Sequence, residues 1–187
     1  MPRTGSVTPD PVETRHGVRC ADGLRLTAEQ TAPRSGWNGG VIIIAGALAV
    51  PTSFYRGLAG FLAGRGYRII RFTYRGMTPA KWETEGHPIR LRDWGCQDIE
   101  AMIQSVREHH KPERLLMLGH SVGGQLLGLA PSAAVEALLA QYRKARIRRF
   151  RLRAEDYDCP QLGHFRLFSR AMEGSFWVEL VNRLDEM

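Results

Sequence analysis

The chain has 187 residues, enough for one domain with a sizeable core, and its 43% hydrophobic and 24% charged content is that of an ordinary globular protein. The net charge of +7 has a local origin: "RKARIRRFRLR" at 143–153 carries seven basic residues and no acid, and without it basic and acidic residues number 19 each. The longest apolar run, "VIIIAGALAV" at 41–50, is ten residues, too short for a bilayer span of about 20. "MPRTGSVTPD" has no apolar core of the signal-peptide kind, and three cysteines (Cys20, Cys96, Cys159) lack metal-type spacing. A cytoplasmic, reducing setting is the expectation, with no metal and no cofactor.

Residues 1–14 are polar and proline-bearing and are predicted to be a disordered tail, leaving 15–187 as a single domain. "HGVRCADGLRLTAEQT" at 16–31 alternates apolar residues around Asp22-Gly23, a hairpin signal. "GGVIIIAGA" at 39–47 is a continuous β-branched run, typical of a strand buried on both faces. The stretch 53–66 places Phe54, Leu58, Phe61 and Leu62 on one helical face, and "YRIIRFTYRG" at 67–76 is a second buried strand. Asp93 can cap a helix whose apolar face is Ile99, Met102, Ile103 and Val106. "RLLMLGH" at 114–120 is a strand, 122–130 a helix, and Pro131 interrupts before a second helical face at Val135, Leu138, Leu139 and Tyr142. "RRFRLR" at 148–153 alternates as a strand, 155–164 is a loop, and the chain from Phe165 onward is predicted helical. Strands alternating with helices predict an α/β fold with a mostly parallel sheet flanked by helices.

The chemistry-bearing motif is Gly119-His120-Ser121-Val122-Gly123, a G-x-S-x-G between an apolar strand and a helix. A sharp strand-to-helix turn lifts the serine hydroxyl above the sheet, and close approach of strand to helix demands small residues on both sides. The helix start behind it offers backbone N–H groups to a developing oxyanion. "GHSVGG", "VIIIAGALAVP", "RFTYRGMTPA" and "LGHFRLF" together resemble the α/β-hydrolase superfamily, in its bacterial lysophospholipase- and serine-aminopeptidase-like branch. The resemblance implies a serine hydrolase acting on a small-molecule ester or amide. Ser121 would be its nucleophile and His164 its base, with the N–H groups of Ala47 and Val122 as the oxyanion hole. His120 reads as a variable residue within the elbow.

The chain departs from that pattern between Ser121 and His164, which are only 43 positions apart. In the family this interval carries a lid and the strand bearing the triad acid. A strand, a helix and their connections take on the order of 25 residues, so an internal deletion and a truncated α/β-hydrolase fold are predicted. Asp156 and Asp158 are the candidate replacement acids, set against the blander reading of an acidic surface loop. If residues 122–143 act as one downward segment, the last strand docks beside 114–119 by a right-handed crossover; otherwise that sheet edge stays open and invites self-association. The alternative function is a non-catalytic remnant or binding module. The arginine stretch is read as a strand with one wet face, Phe150 and Leu152 inward, and no specific nucleic-acid partner is expected.

Overall fold

The computed structural model describes residues 11–77, 89–129, 154–157 and 165–186. Five strands form one sheet in the order β1-β2-β4-β3-β5: β1 (Val12–Arg19), β2 (Arg25–Ala32), β3 (Gly40–Ala45), β4 (Arg68–Phe72) and β5 (Arg114–Gly119). The β1–β2 and β2–β4 pairs are antiparallel, while β4–β3 and β3–β5 are parallel. Among the described residues β5 pairs with β3 alone; the strand predicted at 148–153 to cover its other side lies outside them. The helices are α1 (Arg56–Ala63), α2 (Glu100–His110), α3 (Val122–Leu129) and α4 (Phe176–Asp185). No described helix is long and apolar enough to cross a membrane.

All six residues of β3 are buried, as its unbroken apolar run requires. Strand alternation divides them between two cores. Val41, Ile43 and Ala45 pack with Ile70, Phe72 and the Met102, Ile103 and Val106 face of α2. Ile42 and Ile44 pack with Ile69, Leu58 and Leu62 of α1, and Trp177 and Val181 of α4. Each fully buried isoleucine or leucine contributes roughly 1.5–3 kcal/mol by area removed from water, and this central strand therefore anchors both layers.

Three boundaries differ from the sequence reading. Strand β1 begins at Val12, so Val12, Glu13 and Thr14 leave the expected tail and pair with Ala32, Thr31 and Gln30. Glu13 is held there by Arg71, a β4 arginine only 1% exposed, whose Nη2 donates to Glu13 Oε1 at 3.0 Å and Thr31 Oγ1 at 3.1 Å. Asp93 does not cap a helix: the helical turn starts at Leu91 after extended Arg90, and Asp93 sits inside that first turn. Between it and α2 the chain runs through a π-helical stretch, Trp94–Ile99. Lastly, the end of the chain is not helical from Phe165. Two short 3-10 turns, Arg166–Phe168 and Arg170–Met172, are separated by extended Ser169, and only then does α4 begin.

One hydrogen bond between α2 and β4 has a pH consequence. His110, the last residue of α2, holds its Nδ1 2.6 Å from Arg68 Nη1, so its imidazole accepts and must be neutral. Burial, then the Arg68 charge, lower its pKa to about 4. An unfolded histidine titrates near 6.5, so between about pH 6.5 and 4 the unfolded chain binds more protons and stability falls as pH drops. His110→Gln should flatten this dependence. Urea unfolding of both proteins at neutral pH and near pH 4.5 reads it; equal losses in the two would refute the assignment.

Candidate active site

Strand β5 ends at Gly119, the chain turns at His120 and Ser121, and α3 starts at Val122. Ser121 has φ 55°, left-handed backbone that costs a non-glycine residue on the order of 1–3 kcal/mol. Two other non-glycine residues share it among those described. Lys111 caps the end of α2, where such a residue is usual, and Ala49 lies in the loop after β3. The elbow strain at Ser121 is stabilised by backbone bonds on both sides. His120 N–H donates to Ala45 O at 2.9 Å, extending the β5–β3 ladder by one residue. Gly123 N–H donates to His120 O at 3.0 Å and Gln125 N–H to Ser121 O at 3.1 Å, which starts the helix.

The two motif glycines are sterically required. A Cβ on Gly119 would lie 2.5 Å from Gly124 Cα, and one on Gly123 would lie 2.0 Å from Ala45 O. Helix α3 therefore starts in backbone contact with the end of β3, the strand that leads into Gly46 and Ala47. Val122 is the first residue of α3, where an N–H has no partner within the helix, and its side chain packs against the core that contains Ala45.

Ala47 is 4% exposed, and its N–H donates to Tyr55 Oη at 2.9 Å. The same phenol oxygen is 2.9 Å from His120 Nδ1. His120 is 4% exposed and stacks on Phe168 with ring centroids 4.3 Å apart. Phe165 meets it edge-on at 5.5 Å and also meets Phe54 at 5.8 Å. Burial pushes the Tyr55 phenol above its usual pKa, so it is a neutral hydroxyl at working pH. Neither Tyr55 nor the burial of His120 was visible in the sequence: the two are 65 positions apart, and nothing in their spacing couples them.

Of the sequence-based site residues, Ser121 and Val122 lie at the turn from β5 into α3, and Ala47 lies two residues beyond the end of β3. Asp156 is exposed, on the 3-10 turn Ala154–Tyr157, whose Tyr157 hydroxyl donates to Glu179 of α4. His164 and Asp158 lie outside the described residues. Among the described residues no group of three or more His, Cys, Asp or Glu could hold a metal ion.

A second polar cluster braces the neighbouring turn after β4. Arg75 donates from its backbone N–H to Asp98 Oδ2 at 2.9 Å and from Nε to Asp98 Oδ1 at 2.7 Å, and its Nη1 meets Asp22 Oδ2 at 2.6 Å. Trp94 Nε1 donates to Arg75 O at 3.1 Å, and Cys20 Sγ to Asp98 Oδ1 at 3.7 Å. Burial raises Asp98 to about 6 against the pull of the Arg75 donors, so it remains ionised at neutral pH.

No curated protein matches this chain. Among solved structures it is similar to XC6422 from Xanthomonas campestris, described as an α/β serine hydrolase without lid, with 18% identity and a TM-score of 0.53 over 66% of this chain and 57% of that one. It is also similar to the Pyrococcus furiosus esterase Pf2001, with 17% identity and a TM-score of 0.50 over 63% of this chain and 45% of that one. At these identities the likeness is one of fold, and the chain spans about half the length of the structures it matches. The model of the alpha/beta hydrolase family matches residues 41–185, which hold β3, β4, β5 and the serine elbow. The chain belongs to the alpha/beta hydrolase family.

Proposed function

We propose that the chain is a serine hydrolase that cleaves ester or amide bonds of a small molecule, with Ser121 as nucleophile and His164 as general base. The observation that carries this reading is the left-handed backbone of Ser121, strained at the one serine that follows β5 and precedes α3. Oγ attacks the substrate carbonyl, His164 takes its proton, and the tetrahedral oxyanion is bound by the Val122 and Ala47 N–H groups. Phe165, one residue after His164, packs on the ring of His120, one residue before Ser121.

An internal deletion between Ser121 and His164 would remove the family's acid-bearing strand, and exposed Asp156 is a poor orienting group. Loss of that acid lowers turnover by on the order of 10⁴ yet leaves the elbow and oxyanion hole, which retain roughly 10³-fold catalysis over water. Slow turnover is therefore expected with a short activated ester such as p-nitrophenyl acetate, together with stoichiometric labelling of Ser121 by a serine-directed phosphonate. Ser121→Ala should lose both, and His164→Ala should reduce both. Asn at Asp156 or Asp158 should change little; a large loss in either would identify a relocated acid.

The competing reading, a non-catalytic binding protein, draws support from the Ala47 N–H, which is already engaged by Tyr55. Folded protein that neither turns over the ester nor labels at Ser121 would establish it.

A further inference from the structure

Tyr55 sits at the start of α1, 2% exposed, with its ring edge-on to Phe54 at 5.2 Å, Phe168 at 5.5 Å and His120 at 5.9 Å. Its hydroxyl joins two groups of the candidate site, accepting from Ala47 N–H and contacting His120 Nδ1, each at 2.9 Å. A neutral phenol that accepts from an amide keeps its own hydrogen, which Nδ1 takes in the tautomer with the imidazole proton on Nε2.

We infer that Tyr55 is a positioning residue of the oxyanion hole: its hydroxyl occupies the Ala47 N–H in the resting protein and surrenders it only to the charged oxygen of the tetrahedral state. This rests on the reading of Ser121 as nucleophile. Ala47 is buried, so its N–H needs a partner before substrate arrives, and the phenol supplies one. A substrate carbonyl is also a neutral acceptor and gains nothing by displacing the phenol. An oxyanion is different, because a hydrogen bond to a charged acceptor is about twice as strong. The amide thus changes hands as charge develops, and binding energy is withheld from the ground state. The packed ring cannot swing away, so the exchange is a small shift or a three-centre bond centred on the amide hydrogen.

Tyr55→Phe keeps the ring and removes the competitor. The Ala47 N–H is then open to the ground-state carbonyl as well as to the oxyanion. With p-nitrophenyl acetate, kcat/KM should rise about fivefold to tenfold, the worth of one displaced neutral hydrogen bond, through a lower KM and with kcat within about twofold. The second-order rate of phosphonate labelling at Ser121 should rise by the same factor. A purely structural role predicts the opposite split, a fall in kcat with KM unmoved. That result, or unchanged kinetics, overturns the inference while leaving the hydrolase reading intact. If neither wild type nor variant labels, the hydrolase reading fails and the inference fails with it. The wild type gives a second measurement that needs no variant. On phosphonate labelling the Ala47 amide proton should shift downfield as its acceptor changes from phenol to phosphonyl oxygen, and an unmoved Ala47 resonance in labelled protein overturns the inference.

Discussion

Gly123→Ala is expected to destabilise the protein by roughly 3–5 kcal/mol, at the upper end for a single substitution. The added Cβ would lie 2.0 Å from Ala45 O, 2.6 Å from Ala45 C and 2.8 Å from Gly46 O, all backbone atoms. Rotamer adjustment cannot relieve such a clash. Either α3 withdraws from β3, or the end of β3 moves. Both responses disturb Ala45 O, which already accepts from His120 N–H at 2.9 Å, and both shift Ser121 relative to Ala47. Gly124 next door is the control. A Cβ there would stand 3.5 Å from Gly119 O, an ordinary contact, and alanine is the better helix former by about 1 kcal/mol. Gly124→Ala should therefore be neutral or stabilising. Urea unfolding midpoints of the two variants check both signs; a Gly123→Ala protein as stable as wild type would mean that strand and helix are not in backbone contact.

The elbow and β3 were legible for the same reason: each is a local pattern with one structural solution. Six consecutive buried positions read as a strand covered on both faces, and small residues flanking a serine between strand and helix read as a tight turn. The hairpin turned on Asp22-Gly23, and Gly23 does adopt positive φ there. What escaped was long-range polar pairing. Arg71 lies in an apolar strand, and its burial depends on Glu13, 58 positions away in what composition marked as a tail. Helical periodicity points to Phe54 and Phe61, which are half-buried, whereas the fully buried face is Tyr55, Leu58, Ala59 and Leu62. A side chain's rank in an apolar stripe says how deeply it packs, and nothing about which distant polar atom it will meet. The π-helical turn at Trp94–Ile99 was equally invisible, since it is set by tertiary contact: it brings Trp94 onto Tyr74 at 4.9 Å and Asp98 under Arg75.

That last contact carries the other large expected effect. Asp98 is 0% exposed and Arg75 2%, and the carboxylate holds the Arg75 backbone and guanidinium at once. Removing Arg75 leaves the Asp98 carboxylate buried without a countercharge, a cost of roughly 3–5 kcal/mol, whereas removing Asp98 leaves Arg75 still paired with Asp22 at 2.6 Å. Arg75→Met should therefore be strongly destabilising, and Asp98→Leu alone less so, because Asp22 still pairs with Arg75. The double variant should recover a large part of either loss, because a pair of apolar side chains leaves no buried charge. The same cluster offers a chemical reporter. Cys20 is buried, its thiol donates to Asp98, and burial followed by the Asp98 charge raises its pKa to about 12. In the native protein Cys20 should resist alkylation at neutral pH, and in the Arg75→Met variant it should react as the turn opens. Mass mapping of iodoacetamide adducts under native conditions distinguishes Cys20 from half-buried Cys96. Additive losses in the double variant, with Cys20 equally protected throughout, would show that Arg75 and Asp98 act independently and that the turn after β4 is held by something else.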